Sequence, residues 1–270
     1  MSVSAESNFA WEPVTPRGVA AFAHASLERL LLVQFIVALL ATASVVWFLS
    51  DGCCPTVNAA IAELPTSGGI YYGKLDWPDV APKLLAEGRF LAFVVDPKHS
   101  GTIRSPAPFQ IEFGRDTVSV FSLFGETEFN YTSDRGMPFN QPELEPLWGA
   151  WKPDLLAIAA LATFFGLLLS WAALATIYFL PVWLICFFAN RDLNFRQSWK
   201  LAAAALLPGA LLMTAAILCF ESNVFDIVQF CFAFAMHLVL GWIYLFVSPM
   251  FLRRALPAEK PNPFSTPGKN

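Results

Sequence analysis

Apolar and polar positions divide the chain into long stretches without a single charge and stretches typical of water-exposed protein. Residues 30–49, 155–189, 201–220 and 227–252 contain no Asp, Glu, Lys or Arg. A bilayer core of about 30 Å is crossed by about 20 apolar residues in a helix rising about 1.5 Å per residue. Windows 30–49 and 201–220 each fit one crossing, and 227–252 fits with some tilt. The window 155–189 is too long for one crossing and short for two. Its middle, Leu168-Leu169-Ser170-Trp171-Ala172-Ala173, has no turn chemistry, and its proline comes late, at Pro181. The pattern predicts one span over 154–180 and an interfacial elbow at 181–200, with two shorter spans as the alternative.

Between the first two windows the period changes. Residues 55–64 carry Val57, Ile61 and Leu64 at helical spacing, and 79–87 carry Val80, Leu84 and Leu85 in the same way. Strand patterns are expected at 69–75, 90–95, 109–113, 117–124 and 126–131. In 109–113, Phe109, Ile111 and Phe113 alternate with Gln110 and Glu112, so the apolar three are expected to face the core. Phe129 and Tyr131 are expected on the core side of the last strand. The segment 132–153, rich in Pro, Gly and Asn, reads as a return linker, with Trp148 and Trp151 anchoring at the interface.

The expected fold class is thus a polytopic α-helical membrane protein with four spans and an inserted small α+β, mainly antiparallel, extracytoplasmic domain. Its parts are an amino-terminal segment (1–29), span one (30–49), the domain with its return linker (50–153), span two (154–180), the elbow (181–200), span three (201–220), an outer loop (221–226), span four (227–252) and a disordered tail (253–270). The first sixteen residues share the tail's composition. The long lead before residue 30 argues for an uncleaved anchor rather than a signal peptide.

Charge sets the orientation. Segments 1–29, 190–200 and 253–270 hold nine basic residues: Arg17, Arg29, Arg191, Arg196, Lys200, Arg253, Arg254, Lys260 and Lys269. Loop 221–226 holds none and has two acids. The positive-inside rule then places both termini in the cytoplasm and 50–153 outside. The net charge of −4 excludes nucleic acid as a partner, because binding its phosphates needs a basic face. Membrane lipid, another envelope or membrane protein, and a second copy in a homodimer remain as partners.

Chemistry within the spans is sparse. His237 is their one ionisable side chain and Gln34 and Gln229 their only amides. With no intramembrane carboxylate to share a proton, His237 reads as a neutral, hydrogen-bonded packing residue, and a transport role is the alternative. Ala162, Gly166 and Ser170, spaced by four, form a smooth face that is expected to pack within the monomer or along a dimer seam. Ala202 to Ala205 and Gly209 form a similar face, and Pro208 is expected to kink span three. Cys53 and Cys54 stand at the outer end of span one, at the level expected for Cys219. A bridge from either to Cys219 is open in an oxidising compartment, and free thiols are the plainer reading. Trp183, Arg191, Arg196, Trp199 and Lys200 read as interfacial anchors of a helix lying in the headgroup layer, or of a docking elbow. His99, in Lys98-His99-Ser100-Gly101, reads as a solvated turn residue. No phosphate loop, nucleophile triad or metal-ligand spacing is found, so catalytic residues, cofactors and metals are not expected.

At Asn194-Phe195-Arg196-Gln197-Ser198-Trp199-Lys200-Leu201, followed by Ala205-Leu206-Leu207-Pro208, the chain resembles a group of uncharacterised bacterial polytopic membrane proteins, distantly Yip-like. The strand patterns Phe93-Val94-Val95-Asp96-Pro97 and Ile111-Glu112-Phe113-Gly114 are also similar to their outer domain. The resemblance implies one amino-terminal span, an extracytoplasmic β-rich domain, a carboxy-terminal multi-span block and a bacterial cytoplasmic membrane. It implies no catalytic residues. Two functions remain in view: a non-enzymatic membrane protein whose outer domain senses, scaffolds or assists envelope assembly, and a transporter or channel component. The uncharged spans favour the first.

Overall fold

Four helices are long and apolar enough to cross a membrane. They and the inserted β region are described, in a computed structural model, for residues 11–131 and 136–254. In chain order the elements are α1 (Pro16–Ala21), α2 (Leu27–Trp47), a π-helical turn (Phe48–Cys53) and α3 (Cys54–Ala62), then β1 (Gly69–Tyr71), β2 (Lys74–Asp76), β3 (Lys83–Glu87), β4 (Leu91–Val95), β5 (Phe109–Phe113), β6 (Thr117–Ser122), β7 (Gly125–Asn130) and β8 (Met137–Pro138). Helices α4 (Gln141–Phe188), α5 (Phe195–Ala205), α6 (Leu207–Glu221) and α7 (Ile227–Val247) follow, with a closing 3-10 turn at Ser248–Phe251. The chain divides into two units. One comprises the described residues up to Leu39, Leu167–Met213 and those from Val228 onward; the other comprises Leu40–Gly166 and Thr214–Ile227.

In the first unit Thr15 caps α1, its hydroxyl accepting from the Gly18 N–H at 3.0 Å. Val19, Phe22 and Ala23 are fully buried. Tyr244 donates to the Val14 carbonyl and Lys200 to the Ala25 carbonyl, so residues 14–25 are held by side chains from two other helices. The expectation of disorder for the first sixteen residues therefore fails for 11–16, and residues 1–10 and 255–270 lie outside the described residues. Leu201 to Ala205 are also fully buried. The break between α5 and α6 falls at Leu206, two residues before Pro208, which has no N–H to continue the ladder. At Gly209 the chain comes so close to α7 that a Cβ would lie 2.6 Å from the His237 carbonyl oxygen. Only a residue without a side chain permits that approach.

Helix α4 corrects two sequence expectations. It is one unbroken helix of 48 residues, about 72 Å at 1.5 Å per residue, and it runs through Pro181 to Phe188. It also begins at Gln141, inside the expected linker. Asn140 caps it, its side-chain oxygen accepting from the Glu143 N–H at 3.1 Å, and Pro142 falls in the first turn, where no amide bond is lost. The most apolar stretch of α4 is 6 % buried, against 56 % for that of α5 and α6. Almost all of its apolar side faces outward.

In the second unit, strands form a three-stranded sheet ordered β2-β1-β8 and a five-stranded sheet ordered β3-β4-β5-β6-β7. Residues 69–75 are a hairpin rather than one strand, because Tyr72 and Gly73 both take left-handed φ and reverse the chain. Residues 83–87 form a strand, not a helix. Pro82 precedes them, Leu85 and Ala86 are buried against Ala60 and Leu64, and the backbone pairs with β4. The meander is also interrupted: β4 and β5 run parallel, joined by a crossover at 96–108, and the sheet is mixed. Its core cluster draws on α3, β1, β2, β3, β4 and Phe139. The β3–β4 turn touches the ends of two apolar helices of the same unit. Phe90 packs on Phe48 and Phe220 with ring centroids 4.8 Å away in each case, and Arg89 donates to the Glu221 and Phe225 carbonyls at 3.2 and 2.8 Å.

Gly209→Ala tests the close crossing. The added methyl meets a backbone oxygen, which has no rotamer to change, so a loss of about 1–3 kcal/mol is expected. The readout is a lowered thermal midpoint of the purified chain in detergent, with Ala210→Gly as a comparison that leaves the crossing open.

Candidate functional site

Strand β5 keeps its apolar face on the core side, where Phe113 packs on Phe93 and Phe139, and it buries its polar face as well. Gln110 and Glu112 are buried, at 3 % and 1 % exposure, while Phe109 is 48 % exposed and Ile111 and Phe113 are half-buried. The cause is the parallel pairing of β4 and β5. A parallel pair needs a long crossover, and residues 96–108 supply the polar groups that close over Gln110 and Glu112. Arg104 Nη1 donates to Glu112 Oε2 at 2.8 Å, and Gln110 Nε2 donates to the Ile103 carbonyl at 3.2 Å. The Ser105 N–H donates to Gln110 Oε1 at 2.8 Å. The Arg104 guanidinium also lies 3.9 Å from the Phe121 ring centroid, a cation–π contact that holds it flat on the sheet.

His99 completes the cluster. Its Nδ1 is 3.0 Å from Glu112 Oε1 and its Nε2 is 3.0 Å from Thr117 Oγ1. Thr117 Oγ1 in turn donates to Glu128 Oε1 at 2.9 Å. The ring sits on Gly114, where a Cβ would come within 1.8 Å of Nε2, so only glycine leaves room for it. The solvated-turn expectation for His99 is therefore wrong. The chain carboxylate–imidazole–hydroxyl–carboxylate links the crossover to β5, β6 and β7. It is a clamp rather than an activated nucleophile, because the hydroxyl proton of Thr117 is directed at Glu128 and not at the imidazole. The fully buried Ser119, opposite both Glu112 and Glu128 in the register, carries a hydroxyl with no partner.

Asp96 starts the crossover. Its carboxylate accepts from the Ser100 hydroxyl at 2.7 Å, the Gly101 N–H at 3.1 Å and the Lys98 N–H at 3.2 Å. Burial alone would raise its pKa. The hydrogen bonds outweigh it and hold the carboxyl below its ordinary value.

The opposite face of the sheet is apolar: Phe93, Val95 and Phe113 on it pack in the core cluster, and toward its other end it is exposed at Phe109 and Phe129. Phe109, Ile111, Val118, Val120 and Phe129 share it by register, with Phe129 56 % exposed. The expected core position of Phe129 is thus corrected, whereas Tyr131 packs against the core. At the β6–β7 tip, Leu123 and Phe124 project into solvent.

Other expected site residues are dispersed. Ala162, Gly166 and Ser170 are exposed on α4, and a Cβ on Gly166 would meet nothing within 4 Å. The expectation that they pack within the monomer fails, because α4 leaves this face uncovered. His237 is half-buried, and its Nδ1 donates to the Phe234 carbonyl one turn earlier in α7. Gln34 is buried and Gln229 exposed. Cys53, Cys54 and Cys219 are free thiols, so no bridge joins them. The elbow is not one interfacial helix: 181–188 complete α4, and Asn194 caps α5 in a reciprocal pair with Gln197. Trp183 stacks on Phe187 and Phe195, Arg191 donates to the Leu252 carbonyl, Trp199 Nε1 donates to Thr176 Oγ1 at 3.2 Å, and Lys200 reaches Ala25. Arg196 is exposed. Trp148 Nε1 donates to Asn58 Oδ1 at 2.6 Å, while Trp151 is exposed. No family model, curated protein or solved structure matches the chain.

Two measurements test the clamp. Arg104→Met leaves one oxygen of a buried carboxylate without its cation and is expected to cost about 2–3 kcal/mol, read as a lower thermal midpoint. For Asp96 the folded pKa is depressed, so its contribution is present above the ordinary carboxylate value near 4 and is lost as pH falls below it. The thermal midpoint should fall between about pH 4 and 2, with a shallower fall in Asp96→Asn.

Proposed function

We propose that the chain is a non-enzymatic integral membrane protein of the bacterial cytoplasmic membrane, whose extracytoplasmic domain recognises another envelope protein. The observation that carries this reading is the exposed apolar margin of the sheet, where Phe109, Phe129 and, at the β6–β7 tip, Leu123 and Phe124 face solvent. Large apolar side chains left exposed together beside a folded core mark a surface turned toward a partner. Four helices long and apolar enough to cross a membrane supply the anchor. The nine basic residues of segments 1–29, 190–200 and 253–270 support cytoplasmic termini. The resemblance to bacterial polytopic proteins points the same way. A transport role draws on His237 alone, and its Nδ1 proton is already engaged by the Phe234 carbonyl.

The topology is tested by fusing a periplasm-active reporter after Ser133 and, separately, after Lys260. Activity at the first and silence at the second is expected, and the reverse pattern overturns the orientation. For recognition, a photo-crosslinking residue is placed at Phe109 or Val118 in cells. Protein adducts of defined mass are expected there and not at Glu63, beside α3. Adducts to lipid alone would show that the apolar face serves the bilayer and would remove the recognition reading.

A further inference from the structure

The two edges of the five-stranded sheet are treated differently by the fold. The β3 edge is blunted: its register shifts at Leu84 and Ala86, Leu85 and Ala86 pack on α3, and Lys83 Nζ is tied to Glu63 at 2.9 Å. Bulges, charges and covering helices are the usual means of keeping an edge from pairing with foreign strands. The β7 edge has neither bulge nor covering helix, and its only charges are Glu126 and Glu128. It is a regular strand of six residues, Gly125–Asn130, paired in unbroken register with β6, and every residue in it is exposed. Among the described residues nothing pairs with its outer side. It contains no Pro and no Lys.

Its side chains specify what an added strand must carry. Glu126 and Glu128 lie on the face of Glu112 and Phe121, and Thr127 and Phe129 lie on the apolar face, at its exposed margin. The cation on the acidic face, Arg104, is already engaged by Glu112. A strand laid along β7 would set alternate residues beside two carboxylates and the residues between them beside Phe129. Opposite charges across neighbouring strands attract and like charges repel. A second copy is disfavoured by the same rule: two β7 strands in a twofold antiparallel pair would keep the same faces together and bring their glutamates opposite or diagonal to one another.

We propose that β7 is a strand-addition site for an extended peptide segment that alternates basic and apolar residues. This rests on the reading that the outer domain recognises a protein, and it names the surface and the partner chemistry. Main-chain hydrogen bonds to β7 supply affinity, Glu126 and Glu128 select basic side chains, and Phe129 extends the apolar face onto the added strand.

The test uses the full chain in nanodiscs of phosphatidylcholine, which carry no net charge, and a fluorescent, end-capped octapeptide of alternating Lys and Val. Saturable binding by anisotropy is expected, and empty nanodiscs should give none. Glu126→Lys, a surface change that leaves the clamp intact, should weaken binding about tenfold. An alternating Glu and Val peptide should in turn bind the Glu126→Lys chain better than it binds the original chain. N-methylation of every second residue should abolish binding in one phase and spare it in the other, because only one edge of the peptide meets β7. The proposal is overturned if the Lys–Val peptide fails to saturate, if a block peptide of four Lys and four Val binds equally well, or if both methylated phases bind. Self-crosslinking through cysteines placed at Thr127 would overturn it in favour of a second copy. Failure here with protein adducts still forming at Phe109 would leave the recognition reading standing and remove only the β7 site.

Discussion

The β domain turns on the burial of one carboxylate. Glu112 is 1 % exposed, and a charge removed from water to that extent is tolerated only when it is paired and hydrogen-bonded. Arg104 and His99 meet that requirement, and both come from the crossover between two parallel strands. The crossover must therefore lie on the Gln110–Glu112 face, the apolar residues of β5 must point the other way, and β6 must follow β5 with Ser119 behind the carboxylate. The apolar face of β5 is thereby set on the side where Phe113 meets the core cluster. Replacing Glu112 by an apolar residue would remove the reason for the crossover to stay where it is.

Much of the architecture was legible in the sequence. The uncharged windows mark four helices, because apolar length is a strong and local signal. Strands expected at 90–95 from a compact apolar run, at 109–113 from period-two alternation, and at 117–124 and 126–131 are found at 91–95, 109–113, 117–122 and 125–130. The burial of Gln110 and Glu112 was not legible, since alternation fixes which residues share a face but does not say that both faces are covered. The clue lay in the thirteen residues between two strong strands, too long for a tight hairpin and carrying Asp96, His99 and Arg104. The helix expected at 79–87 failed because two leucines and a valine fit either period in so short a run. The run through Pro181 was missed for another reason: proline removes one hydrogen bond from a helix, and a long apolar helix tolerates that loss.

The small residues of the apolar helices divide in the same way. Gly209 and the alanines of α5 are buried, and at Gly209 a backbone oxygen lies where a side chain would go. Gly166 shares their composition, yet open space surrounds it. Small-residue spacing permits close approach between helices; it does not say that a helix is there. Within one chain the same signal therefore marks a tight crossing in α6 and a bare face in α4.

The open and blunted edges of the sheet stand at opposite ends of a rigid element. Five strands at a spacing of about 4.8 Å place β7 about 19 Å from β3. The β3 edge is seated on α3, which continues the first apolar helix, and the adjoining turn holds Phe90 against Phe48 and Phe220 and Arg89 against the carbonyls of Glu221 and Phe225. An occupant of β7 touches none of these groups. Whatever it does to the helix ends passes through four ladders of backbone hydrogen bonds and one Arg-Phe turn, and the side-chain cluster around Glu112 ties three of those strands to the crossover. The buried carboxylate of Glu112 therefore also stiffens the path from the open edge to the helices.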